Sequence, residues 1–163
     1  MELDFSHFVV AIRRIPLFEG LKPKQGMALL KSCKRRSIAA REQLCKIGEG
    51  SEEMFILLSG KLSVRNEDGT QIALIEPIAP MGEMGIFTGE PRSASVLAGE
   101  PSTLLVLEKS RLNMFLRRNP DVELVISRNL IRILSERLRA SNQEIRYLTR
   151  MMKDQDAGAE AEE

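Results

Sequence analysis

The apolar residues of this chain change their period twice along its length. They recur at helical spacing over residues 5–15 and again over residues 24–34. From 35 to 108 the pattern becomes a series of short apolar or alternating runs separated by turn residues, which predicts β-strands. The helical period then returns, first over 109–118 and then over a long stretch, 121–152. The pattern predicts a central β-region flanked by helices.

The β-region divides into closely spaced strands. The predicted strands are 36–40, 43–47, 53–58, 61–65, 71–75, 95–99 and 103–107. Glu67-Asp68-Gly69-Thr70 lies between two of them and is typical of a hairpin turn. Such strands with glycine-rich turns favour a jelly-roll-like antiparallel β-barrel. The predicted fold class is therefore α+β and mainly β, with N-terminal helices, a helix inserted between two strands and a long C-terminal helix.

The length of 163 residues suits one domain. We expect that domain to span residues 1–152, with helices in 1–34, a β-roll in 35–108 and helices in 109–152. The remaining residues, 153–163, are polar, small and acidic, and are predicted to form a disordered tail.

The charge, the cysteine count and the N-terminal residues argue against several classes of protein. The formal net charge is +1, so there is no global electrostatic case for binding nucleic acid or a membrane. The two cysteines, Cys33 and Cys45, make neither a disulfide framework nor a metal site. Glu2 and Asp4 stand where a signal peptide needs basic charge, and no apolar run reaches the length of a membrane span. We therefore expect a cytoplasmic protein.

The segment from Gly82 to Ala94 carries the candidate chemistry. It places the carboxylate of Glu83 and the guanidinium of Arg92 nine residues apart, around a short glycine-bounded helical segment. A guanidinium binds phosphate through paired hydrogen bonds, and backbone N–H groups at a helix start add to the same field. A nearby carboxylate can accept hydrogen bonds from ribose hydroxyls. The alternative is a solvated ion pair flanking a β-turn.

The order and spacing of this segment resemble the phosphate-binding cassette of the cyclic nucleotide-binding domain family. The chain reads GEMGIF, then TGEP, then RSASV. A second run, GEGSEEMFILLSGKLSV, is also similar to the family. It matches at Gly50, Phe55, Ile56, Leu57, Gly60, Leu62 and Val64. The resemblance covers about residues 15–150. The chain departs from the family just before the cassette, where Pro77, Pro80 and Met81 replace a flexible turn and an aromatic residue.

The resemblance implies a role for each matching residue. Arg92, Ser93 and Ala94 would bind the phosphate, Gly82 and Glu83 the ribose, and Met84 and Gly85 would form the pocket wall. Arg137, Ser141 and Asn142 on the long helix would lie over the base. Cyclic AMP is the first choice of ligand, and Ser93 is also compatible with cyclic GMP. No metal or cofactor is implied.

The long C-terminal helix carries a heptad seam. Its positions alternate in steps of four and three: Leu134, Leu138, Ser141, Ile145, Leu148 and Met152. We expect a homodimer that packs through Leu134, Leu138, Ile145 and Leu148. The alternative is a single helix lying on the barrel with one apolar stripe.

These features together predict a sensor that binds a cyclic nucleotide and signals by reorienting its C-terminal helix. The sequence shows no DNA-binding or catalytic domain of its own. An enzyme is not expected, because the only histidine, His7, falls in the leading helix. Three alternatives stay open: a β-roll interaction and dimerisation module that binds no nucleotide, the sensor half of a transcription regulator, and a domain for a cyclic dinucleotide. The last would require a second cation near Arg92.

Overall fold

The computed structural model describes residues 15–160, and for 153–160 it describes the backbone alone. The helix predicted over 5–15 therefore lies outside the described residues, apart from Ile15. The described chain opens with a 3₁₀ turn, Pro16–Phe18, and helix α1, Pro23–Lys31. Each begins with a proline, whose fixed φ suits a first helical position. Helix α1 ends three residues before the predicted end at residue 34, because β1 begins there.

Two antiparallel sheets form the centre of the molecule. The strands of the described chain are β1 Lys34–Ile38, β2 Gln43–Cys45, β3 Glu53–Ser59, β4 Leu62–Arg65, β5 Gln71–Ile75, β6 Pro80–Met81, β7 Ser95–Ala98 and β8 Ser102–Glu108. One sheet has the order β1-β8-β3-β6 and the other the order β2-β7-β4-β5. The predicted jelly-roll-like fold is confirmed, although the strands form a roll of two sheets and not a closed barrel.

The core of the roll lies between these sheets. Phe55 and Leu57 of β3 pack there with Leu104 and Val106 of β8, and all four are at most 2% exposed. The intervening residue Ile56 is 1% exposed, so β3 is buried on both faces. A strand covered on both faces has a continuous apolar run and no alternation, which is how residues 54–58 read in the sequence.

Strand β6 was absent from the predicted strands. Two prolines in the approach, Pro77 and Pro80, argued against a strand, yet Pro80 and Met81 pair with β3 at the sheet edge. Proline is tolerated at an edge because one side of the strand makes no ladder. The bend before it uses a positive φ of 77° at Ile78, whose N–H donates to the carbonyl of Leu57 at 2.7 Å. Met81 is 4% exposed and fills the core as an apolar plug.

Helix α2, Glu83–Thr88, is the predicted inserted helix. The glycines at its two ends, Gly82 and Gly89, have φ of 72° and 80°, so the chain enters and leaves the helix in left-handed conformations. The body of the helix packs closely on Ser51, since a Cβ built on Gly85 would lie only 2.0 Å from the Ser51 hydroxyl oxygen. Only glycine fits at this contact.

Two helices complete the described chain. Helix α3 spans Lys109–Arg118 and helix α4 spans Pro120–Glu160. The chain forms two compact units, and the boundary between them in the sequence lies between Asn129 and Leu130. Within the first unit, the side-chain amide of Asn129 donates to the carbonyls of Leu17 and Glu19, at 3.0 and 2.7 Å, and so ties the N-terminal turn to α4.

The predicted disordered tail from residue 153 is wrong for the backbone of 153–160, which continues α4 to Glu160. The acidic composition favoured disorder, but five of these eight residues are alanine, lysine, glutamine or glutamate. These strong helix formers extend a helix already begun, although two aspartates and a glycine lie among them. Residues 161–163 lie outside the described range.

The contact between Gly85 and Ser51 generates a stability prediction. Gly85→Ala is expected to lower the free energy of unfolding in urea by about 1–3 kcal/mol, because the new methyl group overpacks the joint. In the double variant Ser51→Gly/Gly85→Ala the loss should be smaller than the sum of the two single losses. Recovery should be partial, since the Glu90 carbonyl oxygen also lies 2.6 Å from the built Cβ.

Gly50→Ala is the matched control, because a Cβ built on Gly50 meets nothing within 4 Å. Equal losses for Gly85→Ala and Gly50→Ala, or strict additivity in the double variant, would contradict the close packing of α2 on Ser51.

Candidate functional site

The main chain of Arg92 is held by the turn that precedes β3. Its N–H donates to the carbonyl of Glu49 at 2.8 Å, and its carbonyl accepts from the N–H of Gly48 at 2.9 Å. Gly48 has φ of 82°, a conformation that glycine adopts without strain. The reciprocal pair of bonds fixes the position at which the Arg92 side chain leaves the backbone.

The side chain of Arg92 is buried, with the residue only 9% exposed. Its Nη2 donates to the carbonyl of Glu53 at 2.6 Å, and its Nη1 donates to the carbonyl of Gly82 at 3.5 Å. The guanidinium carbon lies 5.3 Å from the centroid of the Phe55 ring, within the range of a cation–π contact. Within the described range, the hydrogen-bond acceptors of this guanidinium are neutral carbonyl oxygens and not carboxylates.

A buried cation facing neutral acceptors is an unusual arrangement. Removing a charge from water is costly, and proteins normally place an opposite charge beside it. The charge of Arg92 also acts on the Cys45 thiol. Burial raises the pKa of this thiol, and the positive charge of Arg92 partly offsets the rise. The arrangement leaves the positive charge of Arg92 available for an anion.

Gly82 brings the start of α2 against the same guanidinium. A Cβ built on Gly82 would lie 2.2 Å from Arg92 Nη1, so a side chain cannot occupy this position without displacing the arginine. The next residue, Glu83, is the first residue of α2 and is 1% exposed. The structure therefore brings Arg92 of the predicted phosphate residues against Gly82, next to the buried Glu83.

The other predicted cassette residues differ in exposure. Gly85 is buried at its contact with Ser51, whereas Met84 is 48% exposed. Ser93 is exposed and Ala94 half-buried, in the bend that leads into β7. The three predicted base residues, Arg137, Ser141 and Asn142, are exposed on α4 in the second unit. Their role over the base stays a prediction.

Sequence reasoning missed two contributors to the site. Glu53 acts through its main-chain carbonyl, which any residue type supplies, so the sequence carries no signal for it. Phe55 was assigned to the buried strand, but its contact with Arg92 joins two segments that lie far apart in the sequence, so no local pattern predicts it. A third buried group, the hydroxyl of Ser51, has no hydrogen-bond partner in the described part of the chain.

The cysteines and carboxylates of the described chain are the other groups that could carry chemistry. Burial raises the pKa of Cys33 to about 12, which keeps this thiol protonated and unreactive. Among the side chains that the structure describes, those of residues 15–152, no group of three or more His, Cys, Asp and Glu is placed to hold a metal ion. The same part of the chain contains no helix with the length and apolar content needed to cross a bilayer.

Comparison with known proteins places this geometry in a family. The model of the cyclic nucleotide-binding domain matches residues 35–119, which include the roll and the cassette. A cyclic nucleotide-gated potassium channel of Mesorhizobium japonicum is 30% identical over 119 residues, which is 73% of this chain and 33% of the channel. The Cyclic AMP receptor protein of Thermus thermophilus is 30% identical over 138 residues, covering 82% of this chain and 62% of that protein.

The solved structures agree. A cyclic nucleotide-binding domain from Methylobacillus flagellatus superposes with a TM-score of 0.76 at 26% identity, covering 86% of this chain and 82% of that one. The chain spans less than two thirds of the length of both sequence relatives. The family match and the buried arginine of the cassette lead to one conclusion: this chain belongs to the cyclic nucleotide-binding domain family.

Proposed function

We propose that this domain is a sensor for a cyclic mononucleotide, with cyclic AMP as the first candidate. The observation that carries the proposal is the buried guanidinium of Arg92, which faces carbonyl oxygens and an aromatic ring but has no carboxylate partner in the described range. A phosphate diester supplies the missing negative charge and accepts paired hydrogen bonds. The name of the Thermus thermophilus relative supports cyclic AMP over cyclic GMP.

The other site residues take the roles that the resemblance implies. Ser93 and the N–H groups of Ser93 and Ala94 add hydrogen bonds to the phosphate. Glu83, buried beside Gly82, accepts the ribose hydroxyl. Met84 and Gly85 contribute to the wall, and the assignment of Arg137, Ser141 and Asn142 to the base rests on the resemblance alone.

We infer a regulatory and not a catalytic role. The signal is a population shift, in which the bound nucleotide favours one arrangement of the cassette and one orientation of α4. A cytoplasmic location and a protein partner that reads the signal are part of the same proposal. The spread of relatives, a channel and a cyclic AMP receptor, supports a sensor that works with different outputs.

Calorimetric titration tests the ligand. The protein is unfolded and refolded to remove any carried-over nucleotide, then titrated with cyclic AMP and with cyclic GMP. Saturable one-site binding of cyclic AMP is expected. Arg92→Ala should weaken it by at least about a hundredfold, because two charge-assisted hydrogen bonds are lost. Arg92→Lys should recover only part, since a point charge cannot make the paired contact.

Arg118→Ala, at an exposed residue of α3, is the control for the loss of one positive charge. Urea unfolding of each variant shows whether the fold is kept. Unchanged affinity in a folded Arg92→Ala protein would overturn the phosphate assignment. If neither nucleotide binds to the wild type, the interaction-module alternative becomes the better explanation.

We also propose that the domain dimerises through α4. Leu138, Ile145, Leu148 and Met152 are 61%, 59%, 52% and 64% exposed on one helix. Leu124 and Ile131 are 52% and 65% exposed and precede Leu138 at the same seven-residue spacing. Such a stripe is typical of a coiled-coil seam.

Sedimentation equilibrium tests the dimer. The wild type is expected to sediment as a dimer, and Leu138→Asp/Ile145→Asp as a monomer with unchanged helix content by circular dichroism. Gln143→Asp, on the same helix but five residues past Leu138 and therefore off the seam, should leave the dimer intact. A monomeric wild type at high concentration would contradict the proposal.

A further inference from the structure

Two guanidinium groups share the ring of Phe55. The guanidinium carbon of Arg92 lies 5.3 Å from the ring centroid, and that of Arg36 lies 5.7 Å from it. Arg36 comes from β1, at the far end of the β1-β8-β3-β6 sheet from β6. It lies outside the cassette, and the resemblance assigned it no role.

Glu53 connects these two arginines. Its main-chain carbonyl accepts the Nη2–H of Arg92 at 2.6 Å, and its carboxylate pairs with Arg36 Nη2 at 2.9 Å. The carboxylate belongs to a residue whose carbonyl Arg92 contacts, so the chain itself keeps this negative charge close to the Arg92 guanidinium. If it turned toward Arg92, it would take the place that an anionic ligand needs.

We propose that Arg36 is a positioning residue that holds the Glu53 carboxylate away from Arg92. By pairing with Glu53, Arg36 leaves the Arg92 guanidinium facing neutral carbonyls, and this is the state that binds a phosphate. The inference rests on the proposed function of Arg92 and deepens it, since it names the residue that keeps the Glu53 carboxylate from pairing with Arg92.

A direct role of Arg36 at the ligand is a different hypothesis. The side chains of Arg36 and Glu53 are 40% and 29% exposed, so the pair is partly solvated, and the charge of Arg36 is already used by Glu53. The two hypotheses predict different results when Glu53 is neutralised. A positioning role predicts that Arg36 becomes dispensable without the Glu53 carboxylate, whereas a direct contact predicts that it remains necessary.

The test is a set of cyclic AMP titrations on wild type, Arg36→Ala, Arg36→Lys, Glu53→Gln and Arg36→Ala/Glu53→Gln. Arg36→Ala should weaken binding by about fivefold, the upper range for a partly exposed ion pair. Arg36→Lys should recover most of this, and the double variant should bind like Glu53→Gln. The effect of Arg36→Ala should shrink at 1 M salt, where the charges are screened.

Arg35→Ala is the matched control. It removes the same charge from the neighbouring position of β1, where the residue is exposed and points to the other face of the strand. Affinity lost equally in Arg35→Ala and Arg36→Ala would indicate a general charge effect and overturn the proposal. A double variant as weak as Arg36→Ala would also overturn it.

A measurement without ligand separates this inference from the proposed function. The side-chain Nε–H resonance of Arg92 in the free protein is assigned by its loss in Arg92→Ala. It should shift in Arg36→Ala, as the Glu53 carboxylate approaches, and return in the double variant. An unmoved resonance rejects the positioning role even if the wild type binds no cyclic AMP, whereas absent binding with the expected shift rejects only the proposed ligand.

Discussion

The placement of one buried cation, the guanidinium of Arg92, depends on the 48–49 turn and on three further residues. The turn at 48–49 fixes its backbone, Glu53 and Gly82 offer carbonyl oxygens, and Phe55 supplies a ring face. None of these groups neutralises it. A desolvated charge raises the free energy of the folded state, so the surrounding structure must be stable enough to keep it in place. The core between the two sheets provides that stability, because Phe55 belongs to both the core and the site.

The chemistry of the cassette could be predicted from the sequence because it is local. Glu83 and Arg92 lie nine residues apart with glycines at fixed places, and residue identity alone expresses those requirements. The contact of Arg92 with Glu53 spans 39 residues and uses a main-chain carbonyl. No residue type marks such an acceptor, and the two residues meet only in the folded chain. Arg36 was inaccessible to sequence reasoning for the same reason.

The secondary structure was predicted best where one period extends over many residues. The long helix was predicted in this way, and strand β3 was predicted from its continuous apolar run. Strand β6 was missed because two prolines argued against it, while an edge position tolerates them. The end of α4 was misplaced because an acidic composition was given more weight than the helix propensity of the same residues. The seam of α4 and its base residues remain predictions, since they concern contacts beyond a single compact unit.

The reciprocal hydrogen bonds between Arg92 and the 48–49 turn have a mechanical consequence. Two bonds of 2.8 and 2.9 Å join this turn to the backbone of the anion-binding residue, and Ser51, two residues further on, is wedged against Gly85 of α2. The turn and the residue after it therefore contact the segment 85–92 near both of its ends. A displacement of that segment would also move the exposed turn. A change of position at the buried Arg92 would then be transmitted to the surface of the molecule.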